Sequence, residues 1–166
     1  MIFVTVGTHE QPFNRLMEAV AELVAQETIK EELVVQYGFS TLVPRGCQAE
    51  DFLDADAMQG YMNRAHIIIT HGGPASFMAA MQMGKVPLVV PRRFEFGEHV
   101  NDHQVRFVNM VDQRMGGMIP IYQMDDLGDA IENFDHLVES RHLHFKSNQE
   151  QFTGRFEELC KEVLGR

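Results

Sequence analysis

Between His66 and Gly84 the chain reads HIIITHGGPASFMAAMQMG. The β-branched run Ile67-Ile68-Ile69-Thr70 has the composition of a buried strand, and it stops at His71-Gly72-Gly73. Pro74 is then placed to open a helix, because its fixed φ suits the first turn and its missing N–H is not needed there. Strand, glycine turn and helix N-terminus therefore follow in direct succession. Such a turn lets a ligand approach bare backbone N–H groups, and the unsatisfied amides and positive dipole end of the helix favour an anion such as phosphate. Glycines at a βα turn also arise for steric reasons alone, so the neighbouring residues carry the weight. Ser76 offers a hydroxyl in the first helical turn, His71 sits at the carboxyl end of the strand, and a polar cluster, Gly97-Glu98-His99-Val100-Asn101-Asp102-His103-Gln104, follows the next strand. Ligands of open α/β sheets gather at the carboxyl ends of the strands, where both clusters fall.

The same unit recurs upstream. Ile2 to Val6 is a short apolar strand ending at Gly7-Thr8-His9-Glu10, and from Pro12 a helix carries Phe13, Leu16, Met17, Val20, Leu23 and Val24 on one face. Leu33 to Tyr37 reads as a strand, the segment through Cys47 and Phe52 is a candidate edge strand, and Asp54 or Asp56 caps a helix through Met58, Tyr61 and Met62 to Ala65. Downstream come a strand over Val86 to Val90, a helix from about Glu98 to Arg114, a short strand over Met118 to Tyr122, and a helix from Asp125-Asp126 through Ile131 and Phe134. This βα alternation predicts a doubly wound parallel α/β sheet, Rossmann-like, over residues 1–140.

Residues 141–166 form a separate unit. Phe145, Phe152, Phe156, Leu159 and Val163, with Gln149 as the one polar member, make a stripe at alternating spacings of four and three, the pattern of a C-terminal helix expected either to pack on the domain or to dock on another chain.

At 166 residues the chain is the size of one domain, and its net charge of −10 argues against nucleic acid or an anionic membrane surface as a partner. Cys47 and Cys160 are too few for a disulfide framework, no signal segment precedes the first strand, and no apolar run approaches the ~18 residues of a membrane span. A cytoplasmic location is the expectation. No metal site is expected either: Asp54-Ala55-Asp56 falls where a helix cap belongs, His99 and His103 lack a third ligand, and His142 and His144 read as solvated surface. The Arg92-Arg93 pair suits either a diphosphate contact or a loop border. No Gly-x-Gly-x-x-Gly or Walker sequence is present.

The strings Thr70-His71-Gly72-Gly73-Pro74-Ala75-Ser76, Pro91-Arg92 and Phe96-Gly97-Glu98-His99-Val100-Asn101-Asp102-His103-Gln104, with Met1 to Thr8, resemble the PssE/EpsF-type bacterial exopolysaccharide glycosyltransferase subunits. These are similar to the C-terminal, donor-binding domain of glycosyltransferase family 28, as in MurG. The resemblance implies the C-terminal half of a GT-B enzyme. Gly7 and Thr8, with His71, Gly72, Gly73 and Ser76, would hold the pyrophosphate of a UDP-sugar, and Asn101, His103 and Gln104 would lie near phosphate or sugar. One position departs from the family: the glutamate that binds ribose in MurG-like members is replaced by Ala79.

The resemblance further implies an inverting, metal-independent transfer of a hexose, galactose first, to a lipid-linked acceptor in capsule or exopolysaccharide synthesis. No cofactor is implied beyond the UDP-sugar substrate. A membrane-attached partner subunit of the PssD type would carry the acceptor site and recruit this chain to the inner face of the membrane. No residue is an evident base; His9 and Glu98 are the weak candidates. The competing expectation is a non-catalytic enhancer that activates or stabilises the partner. An isolated chain with an exposed aromatic stripe would also be prone to form a homodimer.

Overall fold

A computed structural model describes residues 1–140. Its strands are β1 (Ile2–Thr5), β2 (Leu33–Gln36), β3 (Gln48–Glu50), β4 (Ile67–His71), β5 (Leu88–Val90) and β6 (Ile119–Pro120). The helices are α1 (Asn14–Ala25), α2 (Ala55–Arg64), α3 (Pro74–Gln82), α4 (His103–Arg114), α5 (Asp125–Glu132) and α6 (Phe134–Ser140). The strands form one sheet in the order β3-β2-β1-β4-β5-β6, with every pairing parallel. The order reverses between β1 and β4, so the loops leaving these two strands diverge and open a crevice at their carboxyl ends.

Strand alternation divides the core. Ile2, Val4, Ile67, Ile69, Leu88 and Val90 point to the face covered by α1 and α5, where Leu16, Met17, Val20, Leu127 and Ile131 meet them. Phe3, Val34 and Ile68 point to the other face against Met62 and Ala80, and Val89 packs there with Phe77, Phe107 and Val108. Both faces are covered, which is why the central strands are uninterrupted apolar runs.

The elements match the expected alternation, with differences at the ends. The edge strand exists as β3, and Asp54 caps α2, its Oδ1 accepting the Ala57 N–H at 2.8 Å. The first helix begins at Asn14 rather than Pro12, the strand expected over Val86 to Val90 is confined to Leu88–Val90, and the one over Met118 to Tyr122 to Ile119–Pro120. The helix expected from Glu98 begins only at His103. Local side-chain bonds compete with it: Asn101 Oδ1 accepts the His103 N–H (2.9 Å), His99 Nδ1 accepts the Asn101 N–H (3.4 Å), and Asp102 Oδ1 accepts the Phe94 N–H (2.9 Å). A 3-10 turn at Phe94–Phe96 and a left-handed Gly97 (φ +68°) complete this folded loop. The last predicted helix is broken at Asn133 into α5 and α6. The phenylalanine stripe and the boundary at residue 141 lie outside the described residues.

Candidate functional site

The two glycine turns meet at the crevice, and His71 lies between them. This last residue of β4 is buried, and a Cβ added at Gly7 would come within 2.5 Å of its Cε1. A Cβ at Gly73 would overlap its Nε2. Both glycines are thus required by one imidazole, and Gly7 also adopts φ +74°, a conformation that L side chains disfavour. Gly72 answers to packing instead, since its Cβ would press on Pro91 and Val108 at 3.0 Å.

The β1 turn is shaped by a residue that motif reading passed over. Gln36, at the end of β2, is buried and spends its whole amide group: Oε1 accepts from Thr5 Oγ1 (2.7 Å) and the Gly7 N–H (3.1 Å), while Nε2 donates to the carbonyls of Gly7 (3.0 Å) and Asp51 (2.7 Å). The Gly7 amide is therefore engaged, and Thr8, which is exposed, offers the next one. Only a polar side chain closing the run Leu33 to Tyr37 hinted at this in the sequence.

Beneath the turns lies Arg92, the largest fully buried side chain among the described residues. Its guanidinium donates to the carbonyls of Gln11 (2.7 Å), Glu98 (3.1 Å) and Val6 (2.9 Å) and rests 4.7 Å from the Phe13 ring centre. Burial lowers its pKa to about 10, so it stays charged at neutral pH. The same environment acts on His71, which burial first and Arg92 second push down to about 4; the Thr5 backbone pulls weakly the other way, and Nδ1 makes no well-formed hydrogen bond. His71 is accordingly a neutral imidazole above a buried cation.

The β5–α4 loop closes the other side. Glu98 is buried and fully used: Arg15 bonds both of its oxygens (2.8 and 2.9 Å), and the Arg93 N–H bonds Oε2 (3.0 Å). Gln104 is buried with Oε1 accepting the Arg92 N–H (3.1 Å), which leaves its Nε2 as the remaining donor. Asn101 is exposed on this loop and His103 at the start of α4, its ring lying parallel to Phe107. His9 and His99, from the two loops, face each other with ring centres 4.6 Å apart. Ser76 is half-buried in the first turn of α3, and Ala79 is half-buried farther along it.

The crevice is thus rich in donors and cations in a chain of net charge −10, and Glu98, its buried carboxylate, is consumed internally. Backbone amides, the α3 N-terminus and a buried guanidinium suit a bound anion. No group of three or more His, Cys, Asp or Glu side chains among the described residues is arranged to hold a metal. A cavity of about 330 Å³ between α1 and α5, lined by Glu22, Asp125, Asp129 and Glu132, has the opposite character.

Residues 1–162 match the glycosyltransferase family 28 C-terminal domain. The chain belongs to that family. Its family 28 relatives include the UDP-N-acetylglucosamine transferase subunit ALG13 of Yarrowia lipolytica, 32% identical over 101 residues that cover 54% of this chain and 51% of the relative. ALG13 of Mus musculus is 34% identical over 100 residues, covering 53% of this chain and 8% of the relative, and that of Homo sapiens is 29% identical over 119 residues, covering 66% and 10%. The chain therefore spans about half the length of the yeast relative and a tenth or less of the mammalian ones. Among solved structures, the glycosyltransferase SnogD from Streptomyces nogalater superposes with a TM-score of 0.51 at 17% identity, covering 86% of this chain and 39% of that one. That likeness shows the fold, a Rossmann-like sheet of the GT-B type.

Proposed function

We propose that this family 28 domain binds the UDP-sugar donor of an inverting, metal-independent hexosyltransferase and works with a second chain that brings the acceptor. The observation that carries the reading is the convergence of both glycine turns on His71 above Arg92. When the acceptor hydroxyl displaces UDP at the anomeric carbon, negative charge grows on the diphosphate. Amides of the two turns, the α3 N-terminus and the buried guanidinium stand ready to stabilise it without reorganising.

Support for a second chain comes from what the site lacks and what it exposes. The Glu98 carboxylate is paired with Arg15, so the base belongs to the acceptor side. Phe94 (60% exposed), Phe96 (54%) and Val100 (65%) stand on the loop after β5, and Phe39 and Phe52 pack edge to face on the loops after β2 and β3. This apolar rim around the crevice suits a covering protein surface. The partner we propose is a membrane-attached, PssD-type subunit presenting a lipid-linked acceptor for capsule or exopolysaccharide synthesis on the cytoplasmic side. Among the described residues no helix is long and apolar enough to cross a membrane. The exopolysaccharide resemblance favours galactose as the sugar; the named relatives favour N-acetylglucosamine.

One observation favours the second reading, a non-catalytic enhancer: Ala79 stands where a ribose-binding glutamate is expected. Transfer from labelled UDP-galactose, UDP-N-acetylglucosamine and UDP-glucuronic acid to lipid, in membranes holding the partner, separates the two. A donor-binding chain supports transfer that falls at least ~100-fold with His71→Ala, in line with loss of transition-state stabilisation. Equal transfer with the substituted chain establishes the enhancer.

A further inference from the structure

His9 and His99 occupy the mouth of the crevice in matching states. Each is half-buried, and each ring accepts at Nδ1 the backbone N–H two residues downstream, from Gln11 at 3.2 Å and from Asn101 at 3.4 Å. A nitrogen that accepts such a bond carries no proton, so each neutral ring bears its proton on Nε2. The rings lie 4.6 Å apart at 39°, a distance at which two imidazolium ions would repel. The groups around His99 favour its neutral form. His71 and Arg92 lie below, His103 flanks His99, and the nearby carboxylates of Glu98 and Asp102 are bound to Arg15 and to the Phe94 N–H. Glu10, beside His9, is exposed to solvent. Burial first, then the neighbouring His9, Arg92 and His103, hold His99 below the usual imidazole range, with the Asn101 backbone bond pulling the other way.

We propose that His9 and His99 are a pair of neutral hydrogen-bond donors that grip the diphosphate of the nucleotide sugar through Nε2–H, one from each loop, and so latch the β1–α1 loop to the β5–α4 loop over the ligand. This rests on the donor-site reading given above. It also assigns His9 a role other than general base: Nδ1 is occupied and Nε2 already holds a proton.

Replacement by Asn or Gln tests this, because Asn places its amide near the position of Nδ1 and preserves the local turn, whereas Gln reaches the position of Nε2 and preserves the donor. Titration calorimetry with UDP, pyrophosphate and uridine is run on the full chain and on His9→Asn, His9→Gln, His99→Asn and His99→Gln, with thermal melting to verify folding. The Asn variants are expected to bind UDP and pyrophosphate about ten-fold more weakly, with uridine unchanged, and the Gln variants to stay within about three-fold of wild type. Nitrogen-15 spectra of the histidines should show the Nε2–H form at both positions and a shift of those Nε2 signals on adding pyrophosphate. Asn variants that bind UDP like wild type, or a proton found on Nδ1, overturn the donor pair and leave the donor site intact. A wild-type chain that binds neither UDP nor pyrophosphate overturns the donor-site reading and the pair with it.

Discussion

The two ends of β4 each carry a histidine, and the same side chain is put to opposite uses. His71, at the carboxyl end, is buried beside the Arg92 cation and kept neutral. His66, just before the amino end, is 45% exposed and lies 3.0 Å from a carboxylate on each side, Nδ1 toward Glu31 and Nε2 toward Asp135. Those hydrogen bonds, Asp135 first and Glu31 second, raise its pKa. Four residues of buried strand, Ile67 to Thr70, separate a guanidinium held by carbonyls, with Arg15 and Arg93 beside it paired to Glu98 and Glu95, from a histidine held between two carboxylates. Arg92 itself meets carbonyls and no side-chain carboxylate, in keeping with the anion-binding role proposed for the carboxyl end.

Glycine substitutions break this comparison most severely. Gly7 at the carboxyl end and Gly84 at the opposite end of α3 share φ +74°, but a Cβ at Gly84 meets nothing within 4 Å, whereas one at Gly7 strikes the His71 ring. Left-handed strain alone costs roughly 1–2 kcal/mol, and overpacking against a held ring adds roughly 1–3 kcal/mol. Gly7→Ala should therefore lose about 4 kcal/mol in urea unfolding and Gly84→Ala about 1 kcal/mol. Equal losses would mean that His71 yields freely and does not define the turn.

How much of this was legible beforehand follows from the range of the forces involved. The strands β1, β2 and β4 are continuous apolar runs, and the turns after β1 and β4 carry their glycines in plain view, so fold class and the place of the crevice were readable. The helix expected from Glu98 was not, because Glu98, Asn101 and Asp102 fit helical spacing while their side chains prefer Arg15 and nearby backbone amides. Gln36 and Arg15 were missed for a different reason. Their partners lie 29 and 83 residues away, at Gly7 and Glu98, and only the closed sheet brings them together. Arg92 could be named but not placed: whether it met a ligand or bordered a loop depended on burial, and three carbonyls from two loops proved to hold it.

Acid sharpens the comparison next. The folded chain keeps His71 neutral down to about pH 4, while an unfolded chain protonates it near 6.5. Below pH 6.5 the unfolded state binds the extra proton, so folding stability contributed by this residue falls progressively between pH 6.5 and 4, by about 3 kcal/mol in all. His71→Gln, which cannot titrate, should show a flatter decline over that window in guanidinium melts at successive pH values. Parallel declines for the two chains would place the acid sensitivity elsewhere.

The smallest effect belongs to His66, and its sign is reversed. Here the folded pKa is raised, so the contribution is complete below the unfolded value of about 6.5 and disappears as pH rises through the folded value. Nearly half of the ring is open to solvent and Asp135 is largely exposed, so screening limits the pair of contacts to less than about 1 kcal/mol. Thermal melting of His66→Gln should trail wild type by about 2 °C at pH 6 and converge with it by pH 9. The ring also packs edge-on against Phe134, with 5.6 Å between centres, and a loss of that contact would lower the melting point equally at every pH. A pH-independent gap would therefore assign His66 to packing at the start of α6, and would leave the neutral histidine at the other end of β4 as the strand's single charge-sensing position.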